Sequence, residues 1–141
     1  MRTYLVVAHK TLVEDHLLDH VRGLCNTEVC RFHLVVPVTH PRTAWSDGEI
    51  TGVAEGKLEE GVAAFRNAGA EADGEVGDAN PVYAVATALR ARPDEDWVGI
   101  IVSTLPPGVS RWLGLDVVSR ITREFDLPVT HLTATKAPAE A

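Results

Sequence analysis

The sequence has little of what a membrane protein, a nucleic-acid-binding protein or an exported protein needs. Its apolar runs are far shorter than the ~18 residues that a membrane helix requires, and its start, MRTYLVVAHK, turns polar too early for a signal peptide. Lys and Arg number 13 against 20 Asp and Glu, and the formal charge of −7 disfavours duplex DNA and anionic membranes. We therefore expect a cytoplasmic protein with no nucleic-acid or membrane partner.

Cysteine and the common catalytic motifs are also scarce. Cys25 and Cys30 are the only cysteines, and without an export signal we interpret them as free thiols, with a reactive pair as the alternative. No nucleophile elbow, phosphate-loop lysine motif or zinc-ribbon spacing occurs. His16 and His20 lie four residues apart, a spacing that can bind a transition metal, but a third ligand is missing nearby. We expect a solvated acidic helix face there, no metal and no catalytic set.

The sequence does contain a regular alternation of strand and helix patterns. Valine-rich runs such as YLVVA and WVGIIVS are typical of strands buried on both faces, and Val13, Leu17, Val21 and Leu24 recur at helical spacing. The predicted strands are 4–8, 32–36, 70–76, 97–103 and 128–132. The predicted helices are 11–24, 53–67, 81–91 and 116–125, with Asn80 as the N-cap before Pro81 and a polar connection over 37–50.

This alternation predicts one α/β domain over 1–135 and a disordered tail over 136–141. The helical crossovers imply a parallel sheet covered on both faces, and the charged strand 70–76 belongs near a sheet edge. Ligands of such sheets bind outside the carboxyl ends of strands, where the strand order reverses. The stretches that follow the first and fourth strands, HKT and STLPPGVSRWLGLD, are therefore the candidate binding loops.

Three stretches resemble the universal stress protein family, and together the resemblance spans nearly all of the chain. They are LVVAHKT after the first strand, GDANP at the start of the third helix, and GVSRWLGLDVVSRITREFDLPVTHL near the end. The resemblance implies a three-layer, Rossmann-like αβα fold, similar to the adenine nucleotide alpha hydrolases, with a five-stranded parallel sheet in the order 3-2-1-4-5. It also implies homodimerisation through the last strand, Pro128 to Leu132.

The nucleotide motif of that family is not reproduced. Members that bind ATP carry Gly-x-x-Gly, nine residues, and then Gly-Ser or Gly-Thr. Those places are occupied here by Val102, Leu105, Leu115 and Asp116. Glycines let backbone N–H groups approach a phosphate, and the prolines at 106 and 107 offer no N–H at all. The resemblance also implies an Asp at the end of the first strand, where this chain has His9.

Asp116 is a further obstacle to a phosphate. It stands where a helix N-terminus would meet the anion, and we expect its side chain to cap that helix and take the first free N–H groups. A helix N-terminus favours an anion by ~0.3–1 kcal/mol, whereas two unit charges ~4 Å apart repel by about 4 kcal/mol at an effective dielectric near 20. Repulsion therefore exceeds attraction unless Arg111 or a bridging Mg²⁺ intervenes.

The sequence accordingly predicts a non-catalytic, universal stress protein-like module that does not bind ATP in the usual way. It would act as a homodimer or through a protein partner, with no cofactor. The alternative is a nucleotide-binding protein with a remodelled phosphate loop, using ATP or AMP with Mg²⁺. In either case the candidate ligand contacts are Ala8, His9, Lys10, Val36, Ser103, Thr104, Gly108, Ser110, Arg111 and Asp116.

Overall fold

The computed structural model describes residues 2–8, 11–38, 47–105 and 116–133, with 47–51 described by backbone alone. Within these ranges, five strands alternate with four helices. The strands are β1 (Arg2–Val7), β2 (Cys30–Pro37), β3 (Glu71–Gly77), β4 (Asp96–Thr104) and β5 (Val129–Thr133). The helices are α1 (Asp15–Thr27), α2 (Asp47–Asn67), α3 (Pro81–Ala91) and α4 (Val117–Glu124).

The strands form one parallel sheet in the order β3-β2-β1-β4-β5. This confirms the predicted α/β class and strand order, including the position of β3 at a sheet edge. The chain moves outward from β1 in one direction through β2 and β3, and then returns to pair β4 with the other side of β1. The order therefore reverses between β1 and β4, which places the switch point where the two candidate loops begin.

A hydrophobic core lies on each face of the sheet. On one face the sheet packs against α1 and α2, and Phe32 of β2 meets Phe65 of α2 edge to face with ring centroids 5.7 Å apart. On the other face it packs against α3 and α4, through residues such as Leu5, Val85 and Ile121. The alternation of side chains along each strand separates the two cores, so the valine-rich runs serve both at once.

Several helix boundaries follow from local hydrogen bonds. Asn80 Oδ1 accepts from the backbone N–H groups of Val82 and Tyr83, at 3.0 and 3.3 Å, which confirms the predicted cap of α3. Gly69 has a φ of 95°, a left-handed conformation that glycine adopts at little cost, and it ends the α2 segment as predicted.

Two predicted helix starts are wrong. Residues 11–13 form a turn, closed by the Glu14 N–H donating to the Thr11 carbonyl, so α1 begins only at Asp15. Leu12 is buried in this turn, while Val13, which was expected on the apolar helix face, is 43% exposed. Helix α2 begins at Asp47, so the last part of the predicted polar connection is helical, and Val53 is an exposed helix residue.

Candidate functional site

The carboxyl ends of β1, β2 and β4 lie side by side, and four of the predicted ligand contacts lie there. Ala8 directly follows β1, Val36 is near the end of β2, and Ser103 and Thr104 end β4. All four are buried, with at most 2% of their surface exposed. Of the other predicted contacts, His9, Lys10, Gly108, Ser110 and Arg111 lie outside the described residues, as does the predicted tail at 136–141.

A cluster of two hydroxyl groups and one imidazole fills the α1 side of this edge. The Oγ atoms of Thr11 and Ser103 are 2.6 Å apart, and His16 Nε2 lies 2.9 Å from the same Ser103 Oγ. Thr11 and Ser103 are each 1% exposed. A serine hydroxyl has one proton to donate and two lone pairs, so Ser103 already uses much of its hydrogen-bonding capacity within the protein.

The environment of His16 favours the neutral imidazole. Burial lowers the pKa of His16, and this effect exceeds the opposite influence of the neighbouring Glu14 and Asp15 carboxylates. A neutral Nε2 can accept the Ser103 proton, and Ser103 can then accept one from Thr11. The three side chains thus form a consistent chain of donors and acceptors that holds the start of α1 against the end of β4.

A second polar cluster lies on the opposite face of the sheet. Thr104 Oγ1 is 2.8 Å from His131 Nε2, and Thr133 Oγ1 is 3.3 Å from the same nitrogen. Burial lowers the pKa of His131, so its neutral form can accept a hydrogen bond from Thr104. This cluster ties edge strand β5 to β4 at the carboxyl end of the sheet.

Asp116 lies at the start of α4 as predicted, but the expectation that its side chain caps the helix is wrong. It adopts a left-handed backbone conformation, with φ 57° and ψ 36°, and makes no side-chain cap hydrogen bond. A left-handed residue departs from the extended backbone usual at an N-cap, from which a side chain reaches the first N–H groups. The exposed carboxylate therefore adds negative charge at the helix start without satisfying those donors.

Residue patterns predict only part of this arrangement. Thr11 lies in the HKT stretch that was predicted to be a binding loop, but it was not among the predicted ligand contacts. His131 and Thr133 had not been identified as site residues, since lone hydroxyls and histidines carry no motif. His16 had been considered only together with His20 as a metal pair, yet its Nε2 is directed at Ser103. Among the residues that the structure describes, no group of three or more His, Cys, Asp or Glu side chains is arranged to bind a metal ion.

The two cysteines are unbridged, as expected. Burial, reinforced by the nearby Cys25 and Glu28, raises the pKa of Cys30 to about 11. Reactive thiols have lowered pKa values, so the environment of Cys30 opposes the reactive-pair alternative.

The described helices include none that is both long and apolar enough to cross a bilayer.

The described elements define a three-layer, Rossmann-like α/β protein, and known structures share this fold. A universal stress protein family protein from Burkholderia pseudomallei superposes with a TM-score of 0.63 at 15% identity, covering 94% of this chain and 96% of its own. The universal stress protein from Archaeoglobus fulgidus in complex with dAMP gives 0.62 at 17% identity, covering 93% and 97%. A universal stress protein family protein from Arabidopsis thaliana with AMP bound gives 0.59 at 17% identity, covering 99% and 94%.

These likenesses establish that the chain has the universal stress protein fold, as the resemblance in sequence had implied. A scan of the sequence against protein-family models gives no match. A search of curated proteins gives no significant match either. The likeness is therefore one of structure, across a large distance in sequence.

Proposed function

We propose that the chain is a non-catalytic, universal stress protein-like module of the cytoplasm that does not bind ATP in the usual way and acts as a homodimer or through a protein partner in a stress response. The observation that carries this proposal is the closed Thr11–Ser103–His16 cluster at the switch point. A ligand phosphate at this edge would have to replace contacts that the protein already makes with itself.

The charge at the edge supports the same conclusion. The exposed carboxylate of Asp116 lies at the first turn of α4, with Glu14 and Asp15 at the start of α1. Two unit charges ~4 Å apart repel by about 1 kcal/mol in bulk water and about 4 kcal/mol at an effective dielectric near 20. For an exposed carboxylate the lower figure applies, and even that matches the ~0.3–1 kcal/mol that a helix N-terminus offers an anion.

A thermal-shift titration with ATP, ADP and AMP, each with and without Mg²⁺ or Mn²⁺, tests the proposal. Ligand at about 100 times its Kd stabilises a protein by ~2.7 kcal/mol, which raises the Tm of a domain of this size by several degrees. We expect no shift at millimolar ligand for the unmodified chain. A reproducible shift that saturates would contradict the proposal.

The second candidate is an adenine nucleotide-binding protein with a remodelled phosphate loop. It is favoured by the structural neighbours that hold dAMP and AMP. A shift that requires Mg²⁺ and disappears in Asp116→Asn would support it, since the carboxylate would then hold the metal that bridges to phosphate. If Asp116→Ser instead creates binding that the unmodified chain lacks, the carboxylate excludes the nucleotide.

The dimer would form through β5, the edge strand next to β4. The Ile100 N–H donates to the Pro128 carbonyl at 2.9 Å, and alternate residues of a strand direct their backbone groups to opposite sides. The backbone groups of His131 therefore point away from β4, where a second copy of β5 could pair with them.

Light scattering of two variants at the same position tests this interface. His131→Pro removes the outward N–H, while His131→Ala keeps it and loses only the side-chain contacts with Thr104 and Thr133. We expect a dimer for the unmodified chain and for His131→Ala, and a monomer for His131→Pro. A monomeric unmodified chain would refute the homodimer and direct the search to other protein partners.

A further inference from the structure

The most extended polar network in the described residues lies far from the candidate site, on the α3 side of the sheet. It runs from edge strand β3 across β2 to β1 and to the short connection between α3 and β4. Its members are Thr3, Arg31, His33, Asp73, Glu75, Arg92 and Glu95. Neither the strand-end site nor the predicted dimer strand uses it.

His33 is the buried centre of this network. Its side chain is only 2% exposed, and its two ring nitrogens both face carboxylates of β3. Nδ1 is 2.9 Å from Asp73 Oδ1, and Nε2 is 2.9 Å from Glu75 Oε1. Asp73 and Glu75 face it because β2 and β3 are in parallel register, with His33 beside Asp73.

Two hydrogen bonds to two carboxylates require two protons on the ring. A carboxylate only accepts, and a neutral imidazole has a single N–H. With one proton, either Asp73 or Glu75 would face a bare ring nitrogen at 2.9 Å, lone pair against lone pair. The observed geometry therefore matches the doubly protonated imidazolium, and each contact is then a charge-assisted hydrogen bond.

The surroundings of His33 hold this arrangement in place. Arg92 donates to Asp73 Oδ2 at 3.0 Å, and the Trp97 ring of β4 lies edge-on to His33 with centroids 6.1 Å apart. Burial raises the pKa of Asp73, but the hydrogen bonds from His33 and Arg92 outweigh it, so the pKa is lowered. Asp73 thus stays ionised to lower pH than an ordinary aspartate does.

The rest of the network supplies the other charges near the ring. Arg31, on the same strand as His33, donates to both carboxylate oxygens of Glu95 at 2.7 and 2.8 Å, and Glu95 also accepts from Thr3 and Arg92. Arg31 and Arg92 line an open depression of about 370 Å³, which brings water to the outer end of the network. None of these groups forms a hydrogen bond with the ring itself. Among the described residues, the charged groups hydrogen-bonded to the His33 ring are the carboxylates of Asp73 and Glu75.

We propose that His33 is a proton-operated clamp for the β3 edge of the sheet. As an imidazolium it ties β3 to β2 through Asp73 and Glu75, and the loss of one ring proton breaks one of these ties and loosens β3 selectively. Histidine suits this role because it changes charge near physiological pH. The contribution of the clamp is present while the ring holds two protons and both carboxylates are ionised, and it is lost when a rise in pH removes one ring proton.

Native-state hydrogen exchange across pH 5.5 to 8.5 tests the clamp, with each amide corrected for its intrinsic rate. In the unmodified protein we expect the β3 amides to open at least about tenfold more often at the alkaline end, because one charge-assisted hydrogen bond is lost. Amides of the central strand β1 should keep their protection. The ¹⁵N shifts of the His33 ring should report two protons at the acidic end and one at the alkaline end.

Glu75→Gln provides the decisive variant, because it satisfies His33 in both protonation states. The Gln amide can accept a hydrogen bond from an N–H or donate one to a bare nitrogen. We expect the β3 edge of Glu75→Gln to open equally at both ends of the pH range. His20→Gln, on the surface of α1, is the matched control and should retain the full pH dependence.

Three results would overturn the proposal. They are a ring with one proton throughout the pH range, β3 exchange that does not depend on pH in the unmodified protein, and a pH dependence that persists unchanged in Glu75→Gln. The ring spectrum needs no variant, so it decides the matter even if Glu75→Gln fails to fold.

Discussion

Gly61, in the middle of α2, is the position where a single added methyl group should test how tightly α2 packs against Leu12, next to the candidate site. A Cβ at this residue would overlap Leu12 Cδ2, lie 2.5 Å from Leu12 Cγ and lie 3.1 Å from Leu34 Cδ2. Leu12 and Leu34 are almost fully buried, so neither can swing aside into solvent. Leu12 is also the neighbour of Thr11, whose hydroxyl contacts Ser103.

A matched variant, Gly56→Ala, separates the cost of overpacking in Gly61→Ala from the gain in helix propensity that both changes share. Gly56 lies in the same helix, is exposed, and has open space where its Cβ would be. Both changes gain the ~1 kcal/mol by which Ala exceeds Gly in a helix. Only Gly61→Ala adds overpacking, which costs typically 1–3 kcal/mol. We expect Gly56→Ala to be more stable than the unmodified protein and Gly61→Ala to be less stable than Gly56→Ala by about 1–3 kcal/mol.

Urea unfolding of the three proteins measures this difference, with equal m-values as the sign that the denatured states are comparable. Equal stability of Gly61→Ala and Gly56→Ala would refute the reasoning, since it would mean that Leu12 yields at no cost. If the overpacking instead displaces Leu12, the NMR signals of Thr11 and Ser103 should shift in Gly61→Ala and stay in place in Gly56→Ala.

Two further predictions concern the caps and the histidines. Asn80→Ala should lower the free energy of unfolding by about 1 kcal/mol, because the N–H groups of Val82 and Tyr83 lose their acceptor; an unchanged urea midpoint would contradict this. The pKa values of His16 and His131 are lowered by burial, so their contribution to stability is full above their unfolded pKa of ~6.5 and is lost as pH falls below it. Thermal unfolding from pH 7.5 to 5 should therefore depend less steeply on pH in His16→Gln and His131→Gln than in the unmodified protein, and identical slopes would exclude this cause.

The fold was predictable from the sequence because its strands are buried on both faces. Runs such as YLVVA are apolar at every position, so both faces of the sheet must be covered. Strict alternation with helices then limits the connections to crossovers between parallel strands. The cap of α3 was predictable for a local reason, since Asn80 and Pro81 are favoured at these positions independently of the rest of the chain. The order of the strands came from the family resemblance.

Helix starts were less predictable where two apolar residues compete for the core. Val13 and Leu12 are neighbours, and helical spacing favoured Val13, but the turn at 11–13 buries Leu12 against α2 instead. Helix α2 begins at Asp47, within the stretch 37–50 that was predicted to be a polar connection because of its prolines and its Asp-Gly pair. Tertiary packing, which a local pattern does not contain, decided which of Leu12 and Val13 is buried.

The candidate site was the least predictable part, because its contacts join residues far apart in the chain. Thr11 and His16 reach Ser103 across about 90 positions, and no spacing rule links a hydroxyl in one loop to a strand end in another. His33 shows the same limit, since its partners lie 40 and 42 positions away. Only the register of β2 with β3 brings them together.

The two histidine environments impose opposite requirements on the same residue type, and this bears on what the protein does. His16 lies among hydroxyls that a neutral ring satisfies, so the Thr11–Ser103–His16 cluster stays uncharged at neutral pH. His33 lies between carboxylates that only a charged ring satisfies. Acidification therefore weakens the contacts of His16 while it strengthens those of His33. A chain built in this way would loosen its strand-end edge under acid and its β3 edge at higher pH, so only its response to acid would begin at the candidate site.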